Sequence, residues 1–371
     1  MLIARTETAP PIIDKGQTVS DFTDVLFSQR GKIGFILLNR PRALNALTRE
    51  MCVAVKNQLD LWAEDPGIDA VIIEGEGEKA FCAGGDVVKV AQSAKEGSDD
   101  CWQFFRDEYR MNSTIGHFPK PYIALLDGVT MGGGVGISAH GPYRVATEQT
   151  LFAMPETALG LIPDVGGSHI LPRLPNHMGM YLALTGARLK AADMLHLGLA
   201  THYIPRGSLI DLKAKFAESQ GPLGLAEVGV ILDDAAQDPG TPTLAGRTQQ
   251  ISQHFSKDSV GAIIDSLAKD TSQWAQNSYK DLLAKSPISL ELSFAAGRKG
   301  ASLDLDGCLQ MEYRVVNRIL ELDTDFFEGV RAILIDKDRN PTWSPARLAD
   351  LDKTAIAAHF ADLGDRELDL G

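Results

Sequence analysis

Met154-Pro155-Glu156-Thr157-Ala158-Leu159-Gly160-Leu161-Ile162-Pro163-Asp164-Val165-Gly166-Gly167 sets two carboxylates eight positions apart, each directly after a proline, in an apolar and glycine-rich run. Burying a charge is costly unless something compensates it, so acids in such surroundings need a partner or a task. Just upstream, Gly132-Gly133-Gly134-Val135-Gly136 has no side chain that could do chemistry. The reading that organises the chain is that the two stretches meet. The glycines would supply backbone N–H groups, and Glu156 and Asp164 would supply proton transfer or nucleophilic attack.

Outward from that run, strand and helix alternate. Ile33–Leu38, Ala70–Gly75 and Tyr122–Leu126 are short apolar runs that predict buried strands, and 143–146 and 151–153 predict two more. Leu44 to Ala63 carries Leu47, Met51, Val55, Leu59 and Trp62 near helical spacing, with Thr48 as a cap for its regular part. Residues 98–118 predict an aromatic-rich helix ended by Pro119 and Pro121, and a further helix starts near Val135. This alternation argues for an α/β architecture. After Pro205 the character changes: 208–219 and 258–285 predict amphipathic helices, 287–336 holds at least two more, and the Gly- and Pro-punctuated 221–243 reads as a linker or lid. The expected organisation is a loose arm at 1–21, an α/β core at 22–206, and a mainly helical region at 207–371 that closes the active site.

At 371 residues the chain can bury a sizeable core, and 44% hydrophobic with 23% charged residues is ordinary for a globular protein. A formal charge of −13 argues against general nucleic-acid binding, which needs phosphate-neutralising Lys and Arg. No apolar run approaches the roughly 20 residues that span a bilayer. Cys52, Cys82, Cys101 and Cys308 form no CxxC pair, which favours a reducing compartment. The first 21 residues show neither an apolar signal core nor an Arg-rich, acid-free transit pattern. Together these features lead to the expectation of a cytoplasmic protein, or of one in the mitochondrial matrix if the source is eukaryotic.

Each constellation has a plainer alternative. The triple glycine is either an oxyanion cradle at a helix start or a tight strand-to-helix turn. A phosphate loop is disfavoured, because no Lys-Ser or Lys-Thr pair follows. Ala83-Gly84-Gly85-Asp86 could offer the second oxyanion N–H, or be an ordinary loop with Asp86 capping the next helix. Glu156 and Asp164 could be a helix-start acid and a turn aspartate; paired carboxylates carry catalysis only if they converge. Glu108, among Phe104, Phe105 and Tyr109, is by default a solvated helix acid. Ser138 resembles a nucleophile elbow but lacks the final glycine. The eight histidines show no ligand spacing, so no metal site is expected.

Leu38-Asn39-Arg40-Pro41 with Asn45-Ala46-Leu47, then Phe81 to Asp86, Gly132–Gly134 and Pro155-Glu156, follow one another in the order of the crotonase (enoyl-CoA hydratase/isomerase) superfamily. Within it the chain resembles the 3-hydroxyisobutyryl-CoA hydrolase family. Asp164 in its run, Gly136 within Gly-Gly-Gly-Val-Gly-Ile-Ser, and the stretch from Asp325 to Trp343 carry that likeness, which spans about 24–345.

The resemblance implies a crotonase-like ββα spiral core and an acyl-CoA thioesterase of valine breakdown. Ala83 and Gly133 match the backbone oxyanion hole, Glu156 the principal catalytic acid, Asp164 its partner, and Glu108 a substrate-binding glutamate that meets a hydroxyl group. The CoA-binding surface falls on Arg42, Ala43 and Leu44 and on Gly84, Gly85 and Asp86. Typical hydratases carry a second catalytic glutamate where Gly136 stands, which favours hydrolysis over hydration. No metal or redox cofactor is implied, since CoA is part of the substrate, and a homo-oligomer is left open. Whether Glu156 activates water or attacks the carbonyl also stays open. The rival readings are a hydratase or isomerase on the same fold and a catalytically silent CoA-binding paralogue.

Overall fold

The computed structural model describes residues 23–322 and 325–371, so the expected arm at 1–21 lies outside the described residues. The chain opens with an antiparallel hairpin of β1 (Val25–Arg30) and β2 (Ile33–Leu38). Helix α1 (Arg49–Glu64) then returns it to β3 (Ala70–Gly75), parallel to β2 with Ile33 opposite Ala70. From there a repeat takes over. β4 (Ala80–Cys82) leaves for a second sheet, and α2 (Val87–Lys95) and α3 (Asp100–Gly116) lead back to β5 (Tyr122–Leu126) beside β3. β6 (Val129–Met131) joins β4, and α4 (Gly133–Ala139) leads to β7 (Tyr143–Ala146) beside β5. β8 (Leu151–Ala153) joins β6; α5 (Gly167–Ile170), α6 (Met178–Thr185) and α7 (Ala191–His196) then precede β9 (His202–Tyr203) beside β7.

The result is a six-stranded sheet, β1-β2-β3-β5-β7-β9, and a three-stranded sheet, β4-β6-β8. Each turn of the chain gives one strand to each sheet before a helix closes it, which is the expected α/β ββα spiral. The small sheet is parallel throughout, so the C-terminal ends of β4, β6 and β8 share one edge. Those ends lead directly into Ala83-Gly84-Gly85, Gly132-Gly133 and Met154-Pro155-Glu156. Topology alone therefore brings three motifs, spread in sequence from Ala83 to Glu156, to one rim.

The large sheet is buried on both faces, which explains its nearly continuous apolar strands. Ile36, Leu38, Val71, Ile73, Ala124 and Leu126 face the main core. The alternate residues Phe35, Ile72, Ile123, Leu125 and Val145 face outward and are covered by α8 (Leu209–Ala217) and α9 (Leu225–Ala235). This corrects the linker-or-lid reading of 221–243. Gly221, Pro222, Pro239, Gly240 and Pro242 flank a helix whose Val228 and Leu232 are fully buried against the sheet.

Two helix boundaries also differ from expectation. Residues 44–48 are not helical, because Leu44 and Asn45 take positive φ. The Asn45 side chain accepts from Arg40 N and donates to the carbonyls of Glu76 and Ala80, fixing the turn, and Thr48 caps α1 through Met51 N. After α10 (Thr248–Phe255), the expected helix at 258–285 is two, α11 (Val260–Lys269) and α12 (Gln273–Leu283). Asp270 accepts from Ser272 N between them, and Ser272 caps α12. Then follow α13 (Pro287–Gly300), α14 (Leu305–Leu322), α15 (Asp325–Val330) and α16 (Lys353–Ala358). α13 packs on α5 and α6, while α14 packs on α3 and α5.

Candidate active site

Four buried carboxyl groups gather beside the glycine rim. Glu156 opens a 3-10 turn at Glu156–Ala158 and is 5% exposed. Its Oε1 lies 3.1 Å from where a Cβ on Gly132 would sit. Glu108, from α3, is also buried, and a Cβ on Gly133 would collide with its Oε1. The default of a solvated helix acid is therefore overturned. Asp164 is buried and accepts a 2.6 Å hydrogen bond from the Tyr109 hydroxyl. Glu312, from α14, is fully buried and accepts from Gly166 N at 2.7 Å and Ser168 N at 2.8 Å. Among the described residues, Glu108 Oε1 and Glu156 Oε2 are buried without a hydrogen-bond partner.

Burial disfavours the charged form of each acid, and the neighbouring acids add to this. Burial, then the charges of Asp164, Glu108 and Glu312, hold Glu156 well above the usual carboxylate range. Burial and then Asp164 do the same to Glu108. Asp164 is pushed up only to about 6, because the Tyr109 hydroxyl and its own backbone N–H favour its ionised form. Burial and neighbouring charge thus press Glu156 and Glu108 toward their protonated forms, while Asp164 carries charge at neutral pH. Four carboxyls in a low-dielectric pocket can be held together only if they share out ionisation in this way.

The glycine rim supplies the complementary donors. Gly85 forms a parallel bridge with Leu47, in which Leu47 N donates to Gly84 O and Asp86 N donates to Leu47 O. In such a bridge the N–H of Gly85 itself points to the opposite side. That side faces Gly133: Gly85 N lies 3.1 Å from where a Cβ on Gly133 would be. Ala83 is different. Its N–H donates to Leu44 O at 3.0 Å, so it is already used in joining the loop to the Arg42–Leu44 turn. The oxyanion expectation at Ala83 is corrected accordingly: the N–H turned toward Gly133 belongs to Gly85.

Gly136 is enclosed. A Cβ there would sit 2.7 Å from Val165 Cβ and 2.9 Å from Asn112 Oδ1. Asn112, one helical turn beyond Glu108 on α3, is fully buried, and neither polar atom of its side chain has a partner among the described residues. Ser138 donates to Gly134 O at 2.6 Å, as a packed helix residue does, rather than facing the acids as a nucleophile.

Of the expected CoA surface, Arg42 and Ala43 lie on an exposed 3-10 turn at Pro41–Ala43 that Leu44 ends, and Arg42 makes no ion pair among the described residues. Asp86 does not cap α2; its carboxylate pairs with Arg40 at 3.2 Å. A cleft of about 210 Å³ beside it is lined by Thr48, Arg49, Lys89 and Phe104. A larger cavity, about 520 Å³, borders the turn after Asp164 through Pro163, Gly167 and Ser168, but Glu108, Glu156 and Asp164 do not line it.

Tyr109, Asn112 and Glu312 were not singled out from the sequence. Asn112 could have been found from Glu108, since residues four apart on a helix share a face, whereas Tyr109, the next residue, points away from that face and carries no such signal. Glu312, in Gln310-Met311-Glu312-Tyr313-Arg314, carries no local signal.

The sequence profile of the enoyl-CoA hydratase/isomerase family matches residues 33–360. The chain belongs to that family. It is 45% identical over 353 residues to the mitochondrial 3-hydroxyisobutyryl-CoA hydrolase of Danio rerio, covering 94% of this chain and 92% of the relative. With the human protein of the same name it is 41% identical over 350 residues, covering 93% and 90%. Among solved structures, a carnitinyl-CoA dehydratase from Mycobacterium thermoresistibile superposes with a TM-score of 0.88 at 38% identity, covering 94% of this chain and 98% of that one. An enoyl-CoA hydratase from Rhodobacter sphaeroides gives 0.85 at 36%, covering 94% and 100%.

These relatives correct one expectation. Both hydrolases are named as mitochondrial, which overturns the cytoplasmic setting inferred above. The inference rested on unpaired cysteines, and all four are indeed free and buried. Free thiols report a reducing environment, and such an environment is not particular to the cytosol. Among the described residues no helix is long and apolar enough to cross a membrane.

Proposed function

We propose that this chain hydrolyses 3-hydroxyisobutyryl-CoA to 3-hydroxyisobutyrate and CoA. The observation that carries the choice is the filled space at Gly136. Water addition to a double bond uses two carboxyl groups, and the second would have to grow from a position where Val165 and Asn112 already stand. The names of the curated relatives support the same reaction.

In this reading the thioester carbonyl lies between the N–H groups of Gly85 and Gly133. Negative charge grows on its oxygen as the carbon is attacked, and fixed donors are worth most at that moment. Once ionised, Glu156, beside Gly132, either takes a proton from water, which attacks the carbonyl carbon, or attacks that carbon itself. The C–S bond then breaks, and the leaving thiolate takes up a proton; where Glu156 itself has attacked, water then cleaves the mixed anhydride, releasing the acid and restoring the carboxyl group. Ionised Asp164, held by Tyr109, favours the protonated form of a neighbouring acid and so keeps a proton at hand. Glu108 accepts the substrate hydroxyl through Oε1. Arg42 on its exposed turn offers positive charge to the phosphates of CoA.

The test is thiol release from short acyl-CoAs with and without a 3-hydroxyl group, beside hydration of crotonyl-CoA. Release from the 3-hydroxy substrate, lost in Glu156→Gln, is expected. Hydration without release would favour the hydratase reading, and silence on every substrate would favour the binding paralogue. Glu108→Ala should erase the preference for a 3-hydroxyl; an unchanged preference would remove Glu108 from that role.

A further inference from the structure

We propose that Glu312, on the C-terminal helix α14, is a positioning residue that holds Asp164 in its working place. It touches no reacting atom in the reading above, on which this proposal rests, but it holds the backbone that does. Asp164 begins a turn with two successive left-handed residues, Val165 at φ 51° and Gly166 at φ 85°. Glycine adopts that region freely, whereas a β-branched valine does so only when its surroundings force it.

Three contacts do the forcing. Gly167 N donates to Asp164 O at 2.6 Å, closing the turn. The His140 ring nitrogen Nε2 pairs with Val165 O at 2.7 Å. Glu312 takes the N–H groups of Gly166 and Ser168, one on each carboxylate oxygen. Two N–H groups converging on one acceptor group make a backbone cradle, and here a carboxyl group of the protein fills it. Tyr313, the next residue on α14, stacks edge-on against Tyr109 at 6.2 Å between ring centroids. α14 therefore supports both sides of Asp164, the turn that carries it through Glu312 and the tyrosine that donates to it through Tyr313.

Full burial makes the arrangement specific. A carboxyl group at zero exposure is costly, and a packed apolar residue would stabilise the fold more simply. The two short bonds to the catalytic turn are what the carboxyl group provides and an apolar residue could not. Replacing it with an amide keeps the shape but sets an NH₂ group against a backbone N–H, so one of the two bonds becomes a donor–donor clash.

The experiment is steady-state thiol release from 3-hydroxyisobutyryl-CoA by the full chain, with Glu312→Gln, Glu312→Asp, Tyr109→Phe and the Glu312→Gln/Tyr109→Phe pair. Misplacing a catalytic group by about an ångström can cost up to about 100-fold in rate. The expected result for Glu312→Gln is a kcat lower by about 10- to 100-fold with KM within about threefold. Glu312→Asp, too short to reach both amides, should fall between it and wild type, and serves if the amide variant does not fold. Because both act through Asp164, the paired variant should be little worse than the poorer single one. Three results would overturn the proposal: kcat within twofold of wild type in both Glu312 variants, a KM effect without a kcat effect, or losses that multiply in the pair. Wild-type protein that releases no thiol would refute the functional reading and this proposal together, whereas an active wild type with unaffected variants refutes the positioning role alone.

Discussion

At the scale of single residues, the site depends on keeping its acids in different protonation states. Tyr109 is the group that separates them, since its hydroxyl favours ionised Asp164 against burial. Removing that hydroxyl leaves burial unopposed on one carboxylate oxygen, so the pKa of Asp164 must move upward from about 6. Activity that needs ionised Asp164 is lost as pH falls through that pKa, so the acid limb of the rate profile should shift to higher pH. Hydrogen bonds to charged groups contribute about 1.5–3 kcal/mol, equivalent to one pH unit or more. Tyr109→Phe is therefore expected to lower kcat/KM by about tenfold at pH 6 and by less than about threefold at pH 8.5. A limb that stays in place, or moves to lower pH, would show that Tyr109 does not control Asp164.

At the scale of elements, α4 and the turn after Asp164 are fitted to one another through Gly136. Hydratase-like chemistry cannot be restored there by adding a carboxylate, because the first carbon already meets Val165 and Asn112. Overpacking of this kind typically costs about 1–3 kcal/mol. Gly136→Ala should lose about that much stability in chemical denaturation and should also lower kcat, because Val165 moves with Asp164. Gly136→Glu should not hydrate crotonyl-CoA; a folded variant that does so would refute the steric account. The same elements show what was legible in the sequence. Strand runs such as Ile33–Leu38 and glycine turns after β4 and β6 announce themselves, because a doubly buried strand must be apolar and a close backbone approach needs glycine. The register of the bridge at Gly85 does not, so nothing in the sequence shows that the Ala83 N–H is taken by Leu44 O while that of Gly85 is turned the other way. Helix α9 was hidden for a related reason. Pro222, Gly224, Pro239 and Gly240 mark its ends, and punctuation at both ends of a short helix resembles punctuation throughout a loop. Glu312 was illegible because its partners are backbone groups some 145 positions away, which no local pattern encodes.

At the scale of the whole molecule, the buried acids make folding stability depend on pH in a direction opposite to that of most proteins' carboxylates. Glu312 is pushed up to about 8 by burial, and Glu156 and Glu108 are also held well above their ordinary range. An acid whose pKa is raised in the folded state keeps a proton that the unfolded chain has released. Its contribution to stability is complete below its unfolded pKa and is lost as pH rises through its folded one. His140 works the other way: burial lowers it from 6.5 to about 4, so its contribution is complete above pH 6.5 and lost as pH falls toward 4. Between pH 6.5 and 8 His140, with His169 and His359 that burial also lowers, completes only the last small part of this gain, and the acids dominate. The melting temperature of the ligand-free protein should therefore fall across that window. Glu156→Gln removes one of these acids while keeping its shape. It should abolish thiol release, raise the melting temperature at pH 8 by roughly 2 °C or more, and flatten the decline from pH 6.5. Thermal denaturation at the two pH values, on wild type and variant side by side, reads this directly. A wild-type melting temperature that rises with pH over the window, or a Glu156→Gln variant no more stable than wild type at pH 8, would mean that the fold does not hold this carboxyl group under strain for the sake of its chemistry.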